Sequence, residues 1–423
     1  MIKLRKVGKI TGEIKVPGDK SISHRAVMFG SIADGVTNIS GFLKGEDCMS
    51  TIDCFKKLGI KTEINGTDVT VFGKGLLGLK APETELYTGN SGTTTRLLAG
   101  ILSAQNFDSV VTGDESIQKR PMKRVTDPLK SMGAIIDREY CPLYIKGQNL
   151  SGITYNMPVA SAQVKSAILL AGLFADGETI VIESEKSRDH TERMLKAFGA
   201  DINVEGLKIT VNGKINLKAT DIKVPGDISS AAFFIVSALI LKGSDITIKD
   251  VGINPTRSGI FEVLEKMGAD VEIFNQREWN NEPVADIRVK YSVLKGTRIE
   301  GDIIPRLIDE IPVIAVLALF AEGETVIKDA EELKVKESNR IKAVCTELKK
   351  CGADITETDD GLIINGLKPL NGASFKSYND HRMAMSLMVL AQKIDGECDI
   401  DDVSCVKISY PEFFEDFCRL GDK

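Results

Sequence analysis

A sixfold internal repeat constrains the fold more than any other feature of this sequence. Six apolar helix patterns end in a similar phrase that closes with glycine: FKKLG, LKSMG, LKAFG, LEKMG, LKKCG and FCRLG. The closing glycines, from Gly59 to Gly421, are 74, 66, 69, 84 and 69 residues apart. A second helix and a strand precede each copy, and an alternating stretch such as residues 200–213 follows most copies and predicts a hairpin. Each repeat therefore predicts a strand, a helix, a strand, a helix and a hairpin.

The grouping of the repeats predicts two domains. The sixth copy is followed by no hairpin, and the strand-like residues 2–16 are the segment that could complete it. We therefore expect one domain of three repeats at residues 18–225, and a second domain that joins residues 1–17 to residues 226–423. Both crossings carry Val-Pro-Gly-Asp, so hinges are predicted near Pro17-Gly18 and Pro225-Gly226, because proline fixes φ and glycine frees it.

Composition excludes several classes of protein. The net charge is −6, and no basic run alternates with aromatic residues, so nucleic acid is not an expected partner. No apolar window approaches the roughly 20 residues that span a bilayer, and the N-terminal residues lack a signal-peptide core. The eight cysteines are scattered without a CxxC pair, which favours reduced thiols in a cytoplasmic protein. Three histidines without metal-binding spacing predict no metal site.

The first helix start carries cations where they are electrostatically unfavourable. In VPGDKSISHRAV, Lys20, His24 and Arg25 lie at a helix N-terminus, which has partial positive charge. The matching segment of the fourth repeat, VPGDISSAAFFI, keeps the Pro-Gly-Asp frame but has apolar residues at these positions. Because that copy does without the cations, we expect them to bind an anion, and we expect Lys20→Ala to abolish activity without unfolding the chain. The alternative is a solvated, charged helix start.

Four further repeats begin helices with polar motifs. These are GNSGTTTR (89–96), SAQVKSA (161–167), LIDE (307–310) with KVKESNR (334–340), and YNDHRMAM (378–385). Backbone N–H groups at such starts can hold anions, and carboxylates beside cations, here Asp309 and Glu337, are candidates for acid–base chemistry. Helix caps and surface ion pairs are the alternative for each motif.

Three other stretches are less informative. GDESIQKRPMKR (113–124) is expected to be a long polar loop with four cations. GKGLLG (73–78) leads to a proline rather than to a helix, so it predicts no dinucleotide site. The chain has no GxxxxGK[ST] motif, so a phosphate-binding loop for nucleotides is not expected either.

In combination, the motifs resemble the 5-enolpyruvylshikimate-3-phosphate (EPSP) synthase family. GDKSISHRA, GNSGTTTR, KRPM, SAQVKSA, KESNR and YNDHRMAM occur in the family's order and span essentially the whole chain. The resemblance implies an α/β fold with two domains in an inside-out α/β barrel, each with three βαβαββ repeats, and an active site in the cleft between them. It implies transfer of the enolpyruvyl group of phosphoenolpyruvate to the 5-hydroxyl of shikimate 3-phosphate, through a tetrahedral intermediate and without a metal or organic cofactor.

The resemblance also implies roles for residues at the matching positions. The implied catalytic residues are Lys20, Asp309 and Glu337, and which carboxylate acts as the base stays open. The implied shikimate 3-phosphate site consists of Lys20, Ser21, Arg25, Ser161, Ala162, Gln163, Arg188, Asp309 and Lys336. The implied phosphoenolpyruvate site consists of Lys20, Asn90, Gly92, Arg120, Gln163, Arg340, Arg382 and Lys407.

Two other functions stay open from the sequence. The related UDP-N-acetylglucosamine enolpyruvyl transferases share the implied fold and donor, but they carry a cysteine five residues before an Arg-Pro pair, where this chain has Glu115. A non-catalytic anion-binding scaffold is the other alternative, and the presence of Lys20, Asp309 and Glu337 argues against it. We expect a monomer whose partners are the two small-molecule substrates.

Overall fold

The computed structural model describes residues 2–4 and 6–421. The chain divides into two compact units. The first unit consists of Gly18–Val224 together with Glu278–Glu282, and the second of Met1–Pro17, Pro225–Arg277 and Pro283–Lys423. The predicted domains had their borders at nearly the same positions, but residues 278–282 were expected in the second domain. The hinge role of the two Pro-Gly pairs stays a prediction.

Strands of two to ten residues form the sheets of both units. In the described part of the chain they are β1 (Ile2–Leu4), β2 (Thr11–Lys15), β3 (Asp34–Ser40), β4 (Lys61–Asn65), β5 (Asp68–Lys74), β6 (Leu86–Tyr87), β7 (Ser109–Thr112), β8 (Ile135–Ile136), β9 (Leu143–Lys146), β10 (Thr154–Asn156), β11 (Glu178–Ile182), β12 (Ile202–Glu205), β13 (Lys208–Asn212), β14 (Ile222–Lys223), β15 (Asp245–Gly252), β16 (Asp270–Trp279), β17 (Glu282–Lys290), β18 (Leu294–Lys295), β19 (Arg298–Ile299), β20 (Ala321–Glu322), β21 (Glu324–Ile327), β22 (Asp354–Glu357), β23 (Leu362–Asn365), β24 (Ser374–Phe375) and β25 (Cys398–Ile400).

The helices alternate with these strands along the chain. They are α1 (Lys20–Ile32), α2 (Glu46–Lys57), α3 (Gly92–Ser103), α4 (Glu115–Gln118), α5 (Lys123–Ser131), α6 (Ala162–Gly172), α7 (His190–Ala197), α8 (Ile228–Ile240), α9 (Gly259–Lys266), α10 (Ile304–Leu307), α11 (Ile311–Ala318), α12 (Arg340–Lys350), α13 (His381–Ala391) and α14 (Phe413–Leu420). Short 3-10 helices cover Gly301–Ile303, Glu331–Val335 and Ser404–Ile408. Within the described residues, no helix is long and apolar enough to cross a membrane.

The first unit contains three four-stranded sheets that share one pattern. Their strand orders are β14-β3-β5-β4, β6-β7-β9-β8 and β10-β11-β13-β12. In each sheet the first pair of strands is parallel and the other two pairs are antiparallel. The leading strand of the first sheet is β14, from the end of the segment, which pairs Ile222 with Ile39. The three sheets are the structural counterpart of three sequence repeats.

The second unit repeats this strand order in two of its sheets, and its described residues also form two shorter sheets, β18-β20 and β1-β25-β24. In the order β2-β15-β17-β16, the pair β2–β15 is parallel and the pair β15–β17 is antiparallel. The order β19-β21-β23-β22 combines one parallel pair with two antiparallel pairs. In the last sheet, β25 lies between β24 and the N-terminal strand β1, with Ile2 opposite Ile400. Residues 2–16, which were expected to complete the sixth repeat together, are thus divided, because β2 pairs with β15 in the fourth repeat.

The glycine of each repeat phrase ends a helix. Gly59, Gly133, Gly199, Gly268 and Gly352 all have positive φ, between 76° and 101°. Such a conformation favours glycine because other residues meet steric strain there, so the phrase is a helix C-terminal signal. Gly421 at the end of α14 is different, with φ of −73°. The repeated phrase therefore has a local cause, the reversal of the chain after the second helix of each repeat.

One helix of each repeat is buried almost all round, and the other buries only one face. The first type comprises α1, α3, α6, α8, α11 and α13, and the second type comprises α2, α5, α7, α9, α12 and α14. A helix that is apolar on every side belongs in a core, whereas an amphipathic helix covers a core. Each unit has its own apolar cluster around its three buried helices. Polar residues at the starts of these buried helices therefore need a specific reason to be there.

Candidate active site

Five of the six buried helices begin with side-chain caps, and the exception is α11. Most candidate residues lie beside helix starts. The cap carboxylate of Asp19 accepts a hydrogen bond from the N–H of Ile22 at 2.8 Å, and Ser91 and Asp380 cap α3 and α13 in the same way. Ser161 caps α6 through a longer bond of 3.4 Å. Capping fixes the chain where the helix begins and leaves further N–H groups pointing outward. The sequence motifs predicted these starts correctly.

Lys20, the first residue of α1, is held by a carboxylate from the next helix. Its Nζ donates to Oδ2 of Asp47 at 2.5 Å, and the Asp47 side chain is only 8% exposed. The Lys20 side chain is 21% exposed, so it is held in position by Asp47 and is partly open to solvent. Sequence reasoning selected Lys20 but missed Asp47, which lies in the first turn of α2 and carries no local motif.

Arg25 is a buried cation whose hydrogen bonds go to neutral oxygen atoms. Its Nε donates to Thr191 Oγ1 at 2.7 Å, its Nη2 to Ser166 Oγ at 2.8 Å and its Nη1 to the carbonyl of Ser21 at 2.9 Å. Burial lowers the pKa of Arg25 to about 10, although the nearby carboxylate of Glu192 acts in the opposite direction. A desolvated guanidinium that is hydrogen-bonded to neutral groups retains its attraction for an anion.

Gly92 makes room for two guanidinium groups at the start of α3. A Cβ atom at this position would lie 2.6 Å from Nη1 of Arg96 and 3.5 Å from Nη1 of Arg120. Arg96 donates to Oε1 of Gln163 at 2.6 Å, and Nε2 of Gln163 donates to Thr93 Oγ1 at 3.0 Å. The structure thus brings together three predicted residues and adds Arg96, which the sequence analysis missed. Its spacing of four residues from Gly92, on one helix face, was the signal that could have identified it.

The segment around Arg120 is more ordered than expected. Residues 113–124 were predicted to be a long polar loop, but residues 115–118 form α4, and α5 begins at Lys123. Asp114 caps α4 by accepting from two backbone N–H groups, each at 2.9 Å. The prediction of a loop was wrong because it rested on polar composition and did not take account of Asp114 as a helix cap. Arg120 lies between the two helices and donates to Ser116 at 3.3 Å.

The other candidates of the first unit are half-buried and lie at helix starts or in the turns before them. Ser21 is the second residue of α1, Asn90 is in the turn before the Ser91 cap, and Ala162 is the first residue of α6. Arg188 lies in the segment between β11 and α7.

In the second unit, Arg340 is the centre of a buried ion-pair cluster. This side chain is only 1% exposed, and it donates to both oxygens of Asp380, at 2.9 and 3.2 Å, and to Glu337 Oε2 at 2.6 Å. A further bond of 3.3 Å joins it to Asp309 Oδ1. Burial alone would lower the pKa of Arg340, but the three carboxylates raise it above its ordinary value. Arg340 is therefore a permanent, rigidly held cation.

Asp309 lies between two guanidinium groups. Its Oδ2 is 3.6 Å from Nη2 of Arg382, its carbonyl accepts from Nη1 of Arg382 at 3.2 Å, and its Oδ1 accepts from Arg340. The predicted residues Asp309, Glu337, Arg340 and Arg382 are thus neighbours in the structure, although they come from three separate motifs.

Two lysines of the second unit lie beside these motifs in less regular structure. Lys336 is half-buried in the bend that follows the 3-10 helix Glu331–Val335, four residues before α12 begins at Arg340. Lys407 is exposed in the 3-10 helix Ser404–Ile408 and, among the described residues, makes no ion pair with the Arg340 cluster. Its predicted role stays a prediction.

A second buried network, which the sequence analysis missed, lies next to Asp309. Glu310 accepts from Arg257 Nη1 at 3.1 and 3.3 Å and from the hydroxyl of Ser229. Arg257 also bonds to Asp227 at 3.3 Å. The Asp227 and Ser229 positions belong to the VPGDISS segment, so the fourth repeat uses its capped helix start to hold a buried ion pair. Arg382 Nη1 is 3.9 Å from Glu310, which links this network to the cluster around Asp309.

The side chains that most often bind metals are dispersed. Among the described residues, no group of three or more His, Cys, Asp or Glu side chains is arranged to hold a metal ion. The eight cysteines all have free thiols, and Cys418 is the exposed one.

Comparison with known proteins places this geometry in a family. A sequence model of EPSP synthase (3-phosphoshikimate 1-carboxyvinyltransferase) matches residues 4–417. The 3-phosphoshikimate 1-carboxyvinyltransferase of Thermoanaerobacter pseudethanolicus is 57% identical over 422 residues, which are 99% of this chain and 100% of that protein. The enzyme of the same name from Bacillus licheniformis is 54% identical over 427 residues, which cover 100% of both chains.

Solved structures agree with the sequence comparison. EPSP synthase from Acinetobacter baumannii superimposes with a TM-score of 0.90 at 49% identity, covering 99% of this chain and 98% of that one. The enolpyruvyl transferase NikO from Streptomyces tendae shares the fold, with a TM-score of 0.84 at 18% identity, covering 99% of this chain and 97% of that one. The predicted α/β fold is therefore confirmed, and the chain belongs to the EPSP synthase (3-phosphoshikimate 1-carboxyvinyltransferase) family.

Proposed function

We propose that this chain is a 3-phosphoshikimate 1-carboxyvinyltransferase, which transfers the enolpyruvyl group of phosphoenolpyruvate to the 5-hydroxyl of shikimate 3-phosphate and releases phosphate. The observation that carries the proposal is the carboxylate of Asp309, held between two guanidinium groups in a chain whose buried helices α1 and α13 begin with cations. Its relatives of that name are identical at 54 to 58% of positions over nearly their whole length. Both substrates are anions, which accounts for cations at helix starts in a protein of net charge −6.

The first unit supplies most of the groups proposed to bind shikimate 3-phosphate. We assign this role to Lys20, Ser21, Arg25, Ser161, Ala162, Gln163 and Arg188, with Asp309 and Lys336 from the second unit. Arg25 is the best supported of these, because its hydrogen bonds go to neutral oxygens and a phosphate can supply the missing negative charge. Ser161 and Gln163 offer neutral hydrogen-bonding groups that suit the ring hydroxyls.

The groups proposed to bind phosphoenolpyruvate come from both units. We assign this role to Lys20, Asn90, Gly92, Arg120, Gln163, Arg340, Arg382 and Lys407. Because Gly92 has no side chain, an anion can approach the backbone and the guanidinium groups of Arg96 and Arg120 beside it. Arg340 is fixed in orientation by its three carboxylates, so its binding geometry does not have to be organised when the substrate arrives.

The chemistry requires a base, an acid and stabilisation of charge. Addition of the 5-hydroxyl to C2 of phosphoenolpyruvate needs a group to accept the hydroxyl proton and another to protonate C3. We propose Asp309 as the base, because its ion pairs with Arg340 and Arg382, of 3.3 and 3.6 Å, are longer than the 2.6 Å bond of Glu337 to Arg340. Glu337 and Lys20 are the proposed sources of the proton for C3. Loss of phosphate from the tetrahedral intermediate, with transfer of a proton from the C3 methyl group to a base, then restores the double bond.

A phosphate-release assay tests the proposal directly. Purified protein is incubated with phosphoenolpyruvate and, in separate reactions, shikimate 3-phosphate, UDP-N-acetylglucosamine or no acceptor. We expect stoichiometric phosphate with shikimate 3-phosphate alone, and a loss of about 100-fold or more in the Asp309→Asn variant. Release with the UDP-sugar would identify the related transferase instead, and no release with either acceptor would indicate a binding scaffold.

The remaining assignments concern the state of the protein rather than its chemistry. We propose that the protein acts as a monomer. We also propose that it acts in the cytoplasm, because free cysteines are typical of a reducing compartment. Light scattering at micromolar concentration, with and without both substrates, tests the monomer. A mass of twice 46.0 kDa would overturn it.

A further inference from the structure

Lys165 is a completely buried ammonium group outside every role assigned above. Its side chain is 0% exposed, on the buried helix α6, four residues after the Ser161 cap. Its Nζ lies 2.9 Å from Glu183 Oε2 and 2.6 Å from Glu192 Oε1, and both carboxylates are buried as well. We call these three side chains the Lys165 triad.

The triad fixes the segment that carries Arg188. Glu183 follows β11, and its second oxygen, Oε1, accepts from the N–H of Ser187 at 3.1 Å and from the Ser187 hydroxyl. The ammonium group of Lys165 also donates to the Ser187 carbonyl at 3.5 Å. Residues 184–186 are exposed, but Ser187 is buried by these bonds. Lys165 holds Glu183, and Glu183 in turn holds Ser187, the residue before Arg188. The position of Arg188 therefore depends on Lys165.

The same triad fixes the partners of Arg25. Glu192 is adjacent in sequence to Thr191, and Lys165 is adjacent to Ser166, and these two hydroxyl groups are hydrogen-bonded to each other at 2.7 Å. Both accept hydrogen bonds from the guanidinium group of Arg25. The Lys165–Glu192 ion pair thus locks α6 to α7 at the point where Arg25 is bound.

The charges make stability alone an insufficient explanation of the triad. One ammonium and two carboxyl groups are costly to desolvate, and replacing such a buried cluster by apolar side chains of similar volume is often neutral or stabilising. In some proteins, buried ionic groups of this kind specify geometry rather than add stability. Three elements of the proposed shikimate 3-phosphate site meet at this point, namely the start of α6, the Arg188 segment and the partners of Arg25.

We propose that Lys165 is a positioning residue for shikimate 3-phosphate, which it serves by locking the Arg188 segment and the Arg25 partners to α6. The proposal rests on the proposed function. It predicts that loss of the triad weakens the binding of shikimate 3-phosphate more than that of phosphoenolpyruvate, because Gln163 is the one assigned residue on the joined elements that is shared with phosphoenolpyruvate.

The test measures the Kd of shikimate 3-phosphate alone by calorimetry, and the KM of phosphoenolpyruvate at saturating shikimate 3-phosphate. For Lys165→Met we expect the Kd to rise roughly tenfold, the equivalent of one lost charge-assisted hydrogen bond, with the KM of phosphoenolpyruvate within about twofold of wild type. A folded variant with unchanged Kd overturns the proposal, and so does an equal rise in both constants.

A milder variant decides the matter where Lys165→Met does not fold. Ser187→Ala removes one hydroxyl from the segment and leaves the triad in place, so it is expected to fold and to raise the Kd about threefold. An unchanged Kd for Ser187→Ala overturns the proposal.

The matched control is Lys249→Met in the second unit. Lys249 pairs with the buried carboxylate of Asp286 at 2.8 Å and lies near the ring of Phe274, neither of which is assigned to a substrate. This variant is expected to bind shikimate 3-phosphate as wild type does. Failure of wild type itself to bind the compound would refute the proposed function, whereas binding by wild type and by Lys165→Met alike would refute only the role of Lys165.

Discussion

Removal of the Lys20 side chain separates a catalytic role from a structural one. The sequence comparison suggested that Lys20→Ala leaves the fold intact, because the fourth repeat has an isoleucine at the equivalent position. The structure changes this expectation, since the fourth repeat has no counterpart of the ion pair between Lys20 and Asp47, whose side chain is 8% exposed. Lys20→Ala leaves that carboxylate buried without its ammonium partner.

The cost follows from the burial of the two partners. Breaking a fully buried ion pair by removing one side costs about 3–5 kcal/mol, and an exposed pair contributes about 0–1 kcal/mol. Because the Lys20 side chain is 21% exposed, water can reach part of the vacated space, and we expect the free energy of unfolding to fall by about 2 kcal/mol. Lys20→Ala/Asp47→Ala removes both charges and should recover all but about 1 kcal/mol of this loss.

Urea denaturation and phosphate release measure the two effects on the same four proteins: wild type, both single variants and the double variant. Turnover should fall by about 100-fold or more in each protein that lacks Lys20, whether or not stability is restored. If the double variant is as unstable as Lys20→Ala, Asp47 is not the source of the cost. If Lys20→Ala retains turnover within tenfold of wild type, Lys20 has no catalytic role.

Three further variants test separate features of the two units. Gly92→Ala places a Cβ 2.6 Å from Arg96 Nη1, so we expect the KM for phosphoenolpyruvate to rise roughly tenfold. The urea midpoint of unfolding should be unchanged or higher, because alanine favours a helix more than glycine does. An unchanged KM would contradict this expectation. Glu310→Ala removes one of the two carboxylates that pair with the buried guanidinium of Arg257, and it should lower the free energy of unfolding in urea by about 2 kcal/mol. A loss under about 1 kcal/mol would contradict this. For His190, burial lowers the pKa, but the Glu282 carboxylate raises it by a larger amount, so the net shift of the pKa is upward. The protonated ring therefore stabilises the fold below pH 6.5. The stability difference between wild type and His190→Gln should then be largest near pH 6 and shrink as the pH rises, and a difference that grows with pH would refute it.

The sequence predicted those parts of the fold that have local causes. The repeat phrase was recognisable because the chain reverses after each second helix, and a glycine such as Gly199 can adopt the required positive φ. Helix starts were recognisable because Asp, Ser and Asn side chains cap them. Pairing between distant strands was not recognisable from the sequence, because nothing in the local pattern of residues 222–223 indicates a partner at Ile39.

The same distinction applies to the candidate site. Arg25, Arg340 and Arg382 were found because each lies in a motif at a helix start. Their partners were harder to find, since a carboxylate such as Asp47 acquires its meaning only when a second helix packs beside the first. Ion pairs between elements depend on tertiary packing, so a sequence can predict the members of a site more readily than the contacts that orient them.

The pairing of β1 with β25 delays completion of one sheet until late in translation. At about 5–20 residues per second, a ribosome takes roughly 20 to 80 s to make the residues between Ile2 and its partner Ile400. Over much of that interval the N-terminal strand leaves the ribosome without its partner, as an unpaired strand edge open to wrong partners. The strand β14, by contrast, completes the first sheet as soon as residue 223 has emerged. The first unit can therefore gather its sheets early in translation, and the second is completed only at the end.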